Sequence, residues 1–586
     1  MKTGRTFVEK LLNASAGSIV CREPDLVLSH DNSARIKKLF ERMGGKVVKY
    51  PEKLMVVLDR KMTGTTEELI RDYNSIHHFM EEQQAGRFFD CDKGICHQLL
   101  AEQVKEGMLI AGNDSHTCTA GAFNCLAVGL NKTETAVLWK TGKMWFRVPE
   151  TVKIVLRNSL PEGVYAKDLA LWIIGMLQNE HVGYTCLEYH GEGVRTLSIA
   201  DRMTIANVSA EIGVKSAVFP PDDALADYFG DYAVQGVWAD ANAAYKREFE
   251  IDLSGVMPLA MSVGLHTEVK SVREWGALSV QQGSIGACGT GRIEDMRVVA
   301  HILKDKKLAP GFQLSVVPAS REIYMQAIEE GLVDMIFKSG AAVLGASCGA
   351  CLGSSSMVLA DTRRYLTSTN SNSQQRMFSF GVEKYVASPA TIAMTALTGV
   401  LTSPAEEREA VYPYWSVPAE PVSVHDFDNR LFGNVWNYKE IDHITTEQLF
   451  AEQWTYRISS EDKKGMLPHL LAGLDVTFAS RVETGQILIV GEDFGCGKLI
   501  EHAASGLVAA GIVAVIARSV NRRFFRMALN RGLPILIAPE IVDKYHSGDI
   551  LMFNWADRRI YLNQEEYNLP DVAPEFEEAL THLLLP

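Results

Sequence analysis

Three cysteines in two glycine-rich segments constrain the fold of this chain more than any other feature. Cys288 lies in Gly286-Ala287-Cys288-Gly289-Thr290-Gly291, and Cys348 and Cys351 form a Cys-x-x-Cys pair between Ser347 and Gly353. Four thiolates would close a zinc site or an iron–sulfur cluster, whereas three leave one metal position open. An open metal position can bind a substrate oxygen. The two segments therefore predict a fold in which distant loops meet at one metal centre.

The bulk composition excludes several classes of protein. The 586 residues predict several domains. A net charge of −14 argues against a nucleic-acid partner, although a local arginine cluster could still bind a small anion. No apolar run is long enough for a membrane span, and the first five residues lack the apolar core of a secretion signal. We therefore expect a cytoplasmic protein whose ten cysteines are reduced thiols or metal ligands.

Short apolar runs alternate with helical patterns from residue 1 to about residue 400. Examples of these runs are residues 54–58, 152–156 and 312–317. This alternation predicts α/β layers with parallel or mixed sheets. Two glycine-rich stretches, 283–291 and 340–353, interrupt the alternation. We expect them to be tight connections where the backbone approaches a ligand.

A change in composition separates the C-terminal part of the chain. Residues 401–422 contain four prolines and little periodicity, which predicts a semi-rigid linker. In residues 423–586, the pattern predicts a strand at 486–490, a turn at 491–497, a helix at 499–510 and a second strand at 512–517. This order is typical of a small α/β domain with a right-handed crossover.

The cysteine segments resemble those of the aconitase and isopropylmalate isomerase family. Cys288 precedes Gly-Thr-Gly-Arg-Ile-Glu-Asp, where the family usually reads Thr-Asn-Gly-Arg-Ile-Glu-Asp. The resemblance implies a [4Fe–4S] cluster bound by Cys288, Cys348 and Cys351, with the fourth iron acting as a Lewis acid. It also implies three α/β domains around the cluster site in residues 1–400, and a linked C-terminal swivel domain that closes the site. The alternative is three buried thiols in glycine-rich loops.

A second group of residues matches family positions near the cluster. The resemblance places Asp114, Ser115, His116 and His97 around the substrate hydroxyl, and a histidine held by a carboxylate can pass a proton to a leaving hydroxide. It assigns Asn207 and Glu211 to the same site, and their spacing puts both on one face if the segment is helical. Without the resemblance, these pairs would be ordinary loop contacts or a solvated helix face.

The resemblance also identifies residues that bind substrate carboxylates. Arg376 aligns with the last arginine of the family's Asn-Arg-Asn-Phe-x-Gly-Arg motif, and Arg522 aligns with an arginine of the swivel domain. A planar guanidinium group binds a carboxylate through two parallel hydrogen bonds. An arginine in a loop is otherwise usually solvated.

Four positions depart from the family pattern. Lys498 occupies the place of the serine base in Gly-Ser-Ser-Arg-Glu-His-Ala, and Ile500 replaces the arginine of that motif. Ser371 replaces the arginine of the Asn-Arg-Asn motif, and the family's Asp-His pair reads Asp59-Arg60. We expect Lys498 to be the catalytic base, because a helix N-terminus, nearby arginines and burial on domain closure would all disfavour its charged form. The alternative is that Lys498 binds a carboxylate as an ammonium.

The sequence thus predicts an iron–sulfur-dependent hydro-lyase or isomerase that acts on a small hydroxy carboxylic acid. The rearranged arginines argue against citrate, isocitrate or isopropylmalate as the substrate. Two alternatives remain. One is a non-catalytic protein that uses the cluster to sense iron or oxygen and binds RNA after losing it; the acidic charge balance disfavours such RNA binding. The other is a degenerate homologue without activity. Four of the other cysteines have no ligand-like context and are predicted to pack in the core: Cys118, Cys125, Cys186 and Cys496.

Overall fold

The computed structural model describes most of the chain and divides it into two compact units, Met1–Val417 and Pro418–Pro586. Within the part of the chain that is described, no helix is long and apolar enough to cross a membrane. The described residues are 4–59, 67–178, 180, 182–230, 235–263, 268–348, 363–370, 382–405, 435–455, 457–460, 462–483, 485–547, 549, 551–554, 559–563 and 565–568.

The first layer of the larger unit is a five-stranded parallel sheet. In spatial order its strands are Arg87–Phe89, Leu54–Val57, Leu26–Ser29, Leu109–Gly112 and Leu126–Gly129. Phe40 of the helix Ser33–Arg42 and Phe79 of the helix Glu67–Glu82 pack against Trp139 of the helix Lys132–Thr141. The associated helices are Phe7–Leu12, Ser33–Arg42, Glu67–Glu82, Cys96–Ala101 and Lys132–Thr141, with 3₁₀ segments at Pro51–Lys53 and Ser115–Phe123 and an antiparallel strand pair, Ile19–Arg22 and Met144–Arg147.

The second layer is a four-stranded parallel sheet. Its spatial order is Ser216–Val218, Cys186–His190, Thr151–Arg157 and Arg247–Asp252. The helix Ala166–Leu177 is apolar and buried along nearly its whole length. The apolar core around this helix also contains Leu259 and Val386, which belong to the seven-stranded sheet of the third layer. The helix therefore joins the second and third layers. The other helices are Ile199–Val208 and Asp223–Phe229, with 3₁₀ segments at Glu192–Thr196, Ser209–Ile212 and Leu253–Gly255.

The third layer is a seven-stranded mixed sheet. Its spatial order is Val269–Ser271, Leu259–Val263, Glu383–Ala387, Arg364–Thr367, Gln282–Gly286, Gln313–Val317 and Ala342–Val343. The first two strands are antiparallel to their neighbours, and the last five run parallel. The carboxyl ends of those five strands therefore lie at one edge. The helices are Ile293–Leu303, Arg321–Glu329, Leu332–Ser339 and Pro389–Thr398, with a 3₁₀ segment at Val272–Trp275.

The C-terminal unit contains a four-stranded parallel sheet in the order Val435–Tyr438, Ile487–Val490, Ala514–Ala517 and Ile535–Ile537. A three-stranded antiparallel sheet follows, formed by Leu551–Asn554, Arg559–Leu562 and Glu565–Asn568. The helices are Thr446–Leu449, Glu452–Thr455, Lys463–Met466, Phe478–Arg481, Ile500–Ala509, Arg522–Asn530 and Pro539–Lys544, with a 3₁₀ segment at Leu467–His469.

The predicted α/β class is confirmed, and one local prediction is wrong. The stretch 283–291, expected to be a loop, begins as the buried strand Gln282–Gly286. Its glycines let neighbouring elements approach closely: a Cβ at Gly283 would lie 3.1 Å from Ile392, and one at Gly286 would lie 2.0 Å from the carbonyl oxygen of Val317. The small residues therefore serve close packing within a sheet as well as the loop that follows.

Candidate active site

Two histidines and two carboxylates form a buried hydrogen-bonded network in the larger unit. Asp114 Oδ1 lies 3.1 Å from His97 Nε2 and 3.3 Å from His116 Nδ1. On its other side, His116 Nε2 lies 3.0 Å from Glu211 Oε1. Both imidazole rings are more than nine-tenths buried. Four of the residues assigned from the sequence are thus brought together by the fold.

Short helical turns position this network. Asp114 follows the strand Leu109–Gly112 and caps the 3₁₀ segment Ser115–Phe123, because its Oδ1 accepts a hydrogen bond from the main-chain N–H of His116 at 2.8 Å. Glu211 does not share an α-helix with Asn207, since the helix Ile199–Val208 ends and a 3₁₀ turn, Ser209–Ile212, carries the carboxylate. Ser115 is exposed, and its hydroxyl lies 3.3 Å from His116 Nδ1.

The charge state of His116 follows from this geometry. Burial alone would lower the pKa of His116, but hydrogen bonds to Asp114 and Glu211 and the charges of both carboxylates outweigh it and raise the pKa to about 9. The imidazole is therefore protonated at neutral pH. A protonated histidine beside a carboxylate is suited to general acid chemistry.

Asp59 links this network to one of the cysteine loops. The side chain of Asp59 is 1% exposed, and its Oδ2 accepts a hydrogen bond from the main-chain N–H of Cys96 at 2.8 Å. Its main-chain carbonyl accepts a hydrogen bond from the N–H of Cys348 at 3.0 Å. The residue after Cys96 is His97, so Asp59 is hydrogen-bonded both to the segment that carries His97 and to the segment that carries Cys348.

His30 belongs to the same network, although no sequence motif pointed to it. Its Nε2 lies 2.9 Å from the main-chain oxygen of Asn113 and 3.9 Å from Asp114 Oδ2, and the ring is 1% exposed. His30 follows the strand Leu26–Ser29, next to the strand that leads to Asp114. The only available signal was a histidine–aspartate pair directly after an apolar run.

The two described cysteines of the predicted ligand set lie at the carboxyl edge of the seven-stranded sheet. Cys288 follows the strand Gln282–Gly286, and Cys348 follows Ala342–Val343 two strands away. Ala287, directly before Cys288, has a left-handed φ of 67°. Such a conformation is uncommon for alanine and re-aims the chain at the end of the strand.

An amide chain connects Cys288 to the histidine network. Asn370 Nδ2 lies 3.3 Å from Cys288 Sγ and donates to Asn207 Oδ1 at 2.8 Å. Asn207 Nδ2 then donates to the hydroxyl of Thr119 at 2.8 Å, and that hydroxyl donates to the carbonyl of His116. Asn370 follows the strand Arg364–Thr367 and was not singled out from the sequence, although it begins the motif that contains Ser371.

The chemistry of these donors fits an iron–sulfur cluster. Cys288 and Cys348 would supply soft thiolate ligands, and an N–H group directed at a sulfur is a usual feature of cluster sites. Asn370 provides such a group to Cys288. Among the described residues, two groups of three side chains have ligand atoms close enough to hold a metal: His97 with Asp114 and His116, and His30 with Asp31 and Asp59. Both offer nitrogen and oxygen atoms instead of sulfur.

Several residues assigned from the sequence lie outside the described residues. These are Cys351, Arg60, Ser371 and Arg376. Of the four cysteines predicted to pack in the core, Cys118, Cys125 and Cys186 are buried and Cys496 is half-buried. Burial raises the pKa of Cys118 to about 12, so this residue stays a neutral thiol.

The C-terminal unit carries the last two predicted site residues. Lys498 is exposed within this unit and precedes the helix Ile500–Ala509 by two residues. Its main-chain N–H donates to Glu447 Oε1 at 2.9 Å. Gly497, with a φ of 122°, lets Glu447 approach, because a Cβ there would lie 2.2 Å from the Glu447 carboxylate. Arg522 is half-buried and begins the helix Arg522–Asn530.

Family comparison identifies the chain as a whole. A model of the aconitase family (aconitate hydratase) matches residues 7–274 and 260–399, and a model of the aconitase C-terminal domain matches residues 419–540. The chain belongs to the aconitase family. The resemblance deduced from the cysteine segments is therefore confirmed, and one chain carries both parts of an aconitase.

Individual aconitase-family relatives agree with this assignment. The 3-isopropylmalate dehydratase large subunit 1 of Methanopyrus kandleri is 37% identical over 413 residues, which are 68% of this chain and 99% of that protein. The probable methanogen homoaconitase large subunit of Methanosarcina mazei is 35% identical over 386 residues, 65% of this chain and 98% of that protein. A solved structure of 3-isopropylmalate dehydratase from Methanocaldococcus jannaschii matches 25% of this chain and 85% of its own at 28% identity, with a TM-score of 0.23 that supports no structural argument. From its family and these relatives, this chain is a hydro-lyase.

Proposed function

We propose that this protein binds a [4Fe–4S] cluster through Cys288, Cys348 and Cys351 and catalyses the reversible dehydration of a small hydroxy carboxylic acid. The observation that carries the proposal is the amide chain that connects Cys288 Sγ, through Asn370 and Asn207, to the His116 segment. This chain of hydrogen bonds supports a shared site for a thiolate loop and a proton-donating histidine. When bound, the cluster would supply Lewis-acid chemistry at the iron without a cysteine ligand.

In this proposal the histidine network supplies the proton for the leaving hydroxyl group. Dehydration removes a hydroxyl from one carbon and a proton from the next, leaving a carbon–carbon double bond and one water. His116 holds a proton between Asp114 and Glu211 and would transfer it to the departing hydroxyl. His97 and Asp59 keep Asp114 and the Cys348 segment in place.

The C-terminal unit would supply the base and one carboxylate ligand. Lys498 would remove the carbon-bound proton, and Arg522 would bind a carboxylate through its planar guanidinium group. Arg60, Ser371 and Arg376 would complete the substrate site. The alternative role for Lys498, an ammonium that anchors a substrate carboxylate, is compatible with the same position.

Two observations support the substrate class: the names of the relatives, and the positions at which this chain departs from the family motifs. The relatives named above are a dehydratase of 3-isopropylmalate and a homoaconitase. Their names support a small hydroxy acid for this chain. The replacement of two family arginines by Ser371 and Ile500, and the new Arg60, change the positions that bind carboxylates. We therefore infer a substrate other than citrate or isopropylmalate.

The test is a substrate screen with anaerobically reconstituted protein. Hydroxy acids and their unsaturated partners would be added, and the absorbance of the carbon–carbon double bond conjugated to a carboxylate would be followed. At least one pair should interconvert, and Asp114→Asn should lower that rate, because the variant loses the charge that holds the His116 proton. Asp334→Asn, on an exposed helix, is the matched control. Cluster uptake without turnover of any hydroxy acid would contradict the enzymatic proposal.

A further inference from the structure

Two buried lysines lie beside the Cys288 segment and have no role in the function proposed so far. Lys167, in the helix Ala166–Leu177, is 2% exposed, and Lys384, in the strand Glu383–Ala387, is 1% exposed. Lysine is among the residues that are almost never fully buried, because desolvation of the ammonium is costly. Two such groups in one place indicate a use for positive charge inside the protein.

Both ammonium groups hold the segment that positions Asn370. Lys384 Nζ donates to the main-chain oxygen of Asn370 at 3.0 Å, and Lys167 Nζ donates to that of Thr369 at 3.4 Å. The two carbonyls belong to consecutive residues, so the segment is fixed from two sides. The side chain of Asn370 in turn places Nδ2 3.3 Å from Cys288 Sγ.

The Lys167 ammonium also lies next to the cysteine loop itself. A Cβ on Gly289, the residue after Cys288, would lie 3.7 Å from Lys167 Nζ and 3.2 Å from Asn370 Oδ1. The neighbouring Asp168 carboxylate interacts electrostatically with Lys167 and accepts hydrogen bonds from the main-chain N–H groups of Tyr165 and Leu259.

We propose that Lys167 and Lys384 are positioning residues for the metal centre: they fix Asn370 against Cys288 and place two positive charges beside the cluster. This inference rests on the cluster binding proposed above. Thiolates and sulfides give a cluster negative charge, and reduction potentials depend on net charge and on hydrogen bonds to sulfur. Nearby positive charge favours the reduced, more negative state and stabilises the bound cluster.

The test compares neutral and charged replacements by two spectroscopic measurements. Lys167→Gln and Lys384→Gln remove the charge but keep an N–H donor. Lys338→Gln is the matched control, since its side chain is 73% exposed on the helix Leu332–Ser339. After anaerobic reconstitution, we expect both buried variants to show a more negative midpoint potential and faster loss of cluster absorbance to a chelator. The control should match the wild type in both measurements.

Arginine variants separate charge from packing. Lys384→Arg and Lys167→Arg keep the positive charge and should return both values toward the wild type. Circular dichroism of the apo-protein shows whether each variant folds. If a glutamine variant does not fold, the arginine variant still tests the inference. A folded arginine variant with a clearly more negative midpoint potential would overturn it. Folded glutamine variants with wild-type potential and wild-type cluster loss would overturn it as well. If the wild type itself takes up no cluster, the proposed function fails before any variant is compared.

Discussion

Replacing Glu211 by glutamine tests the electrostatic basis of the proton donor. The glutamine Oε1 can still accept a hydrogen bond from His116 Nε2, so the packing is preserved while one of two negative charges is lost. The pKa of His116 rises from an ordinary 6.5 to about 9 in the native protein. This change corresponds to about 3 kcal/mol of preferential stabilisation of the imidazolium.

The expected size of the effect follows from the two carboxylates. Asp114 and Glu211 lie at similar distances from the ring, 3.3 and 3.0 Å. Loss of one should remove on the order of half the stabilisation, which lowers the pKa of His116 by about 1 and the stabilisation by about 1 kcal/mol. Because the folded pKa exceeds the unfolded one, the stabilisation is fully present below pH 6.5 and is lost as the pH rises to about 9. Glu211→Gln should therefore reduce the free energy of unfolding most below pH 6.5.

The assay is an NMR titration of protein labelled at histidine Cε1. The His116 resonance is assigned by its absence in His116→Gln. Glu250→Gln is the control, because Glu250 is an exposed carboxylate that pairs with Arg157. A wild-type His116 that titrates near its ordinary pKa, or an identical pKa in wild type and Glu211→Gln, would refute this reasoning.

Three further substitutions test other parts of the account. Arg522→Lys should raise KM for the substrate, because loss of a bidentate contact to a buried carboxylate costs on the order of 2–5 kcal/mol; unchanged kcat/KM would place the carboxylate elsewhere. Lys498→Arg keeps the charge but cannot act as a base, so kcat should fall by about 10²–10⁴-fold, whereas near-normal turnover would make Lys498 an anion anchor. Gly286→Ala should lower Tm and reduce cluster uptake, because a Cβ there would lie 2.0 Å from a carbonyl oxygen. Gly213→Ala, with a φ of 75° and nothing within 4 Å, controls for backbone strain alone, and equal Tm values for the two variants would contradict the close-approach argument.

Local sequence patterns predicted much of the fold. The apolar run 152–156 lies within the strand Thr151–Arg157, and the run 312–317 contains Gln313–Val317. The helix predicted at 499–510 is Ile500–Ala509. These elements follow from periodicity, which depends on near neighbours only. The glycine stretch at 283–291 misled the prediction because glycine serves both loops and closely packed strands.

The sequence predicted which residues meet at the site only where a family motif identified them. His97, Asp114, His116 and Glu211 were assigned in this way, and the structure brings them together. His30, Asn370, Lys167 and Lys384 were missed, because their contacts depend on the spatial order of strands. Asn370 and Asn207 are 163 residues apart in the chain, and no local pattern records their hydrogen bond.

The amounts of iron and sulfide bound after anaerobic reconstitution test the central proposal most directly. The wild type should bind about four of each per chain and show the broad visible absorbance of a [4Fe–4S] cluster. Cys348→Ala should lose most of both, because two thiolates are too few to hold such a cluster with an open iron. Cys21→Ala, at an exposed cysteine, should match the wild type. Iron and sulfide contents that are unchanged in Cys348→Ala would contradict the cluster assignment and the mechanism built on it.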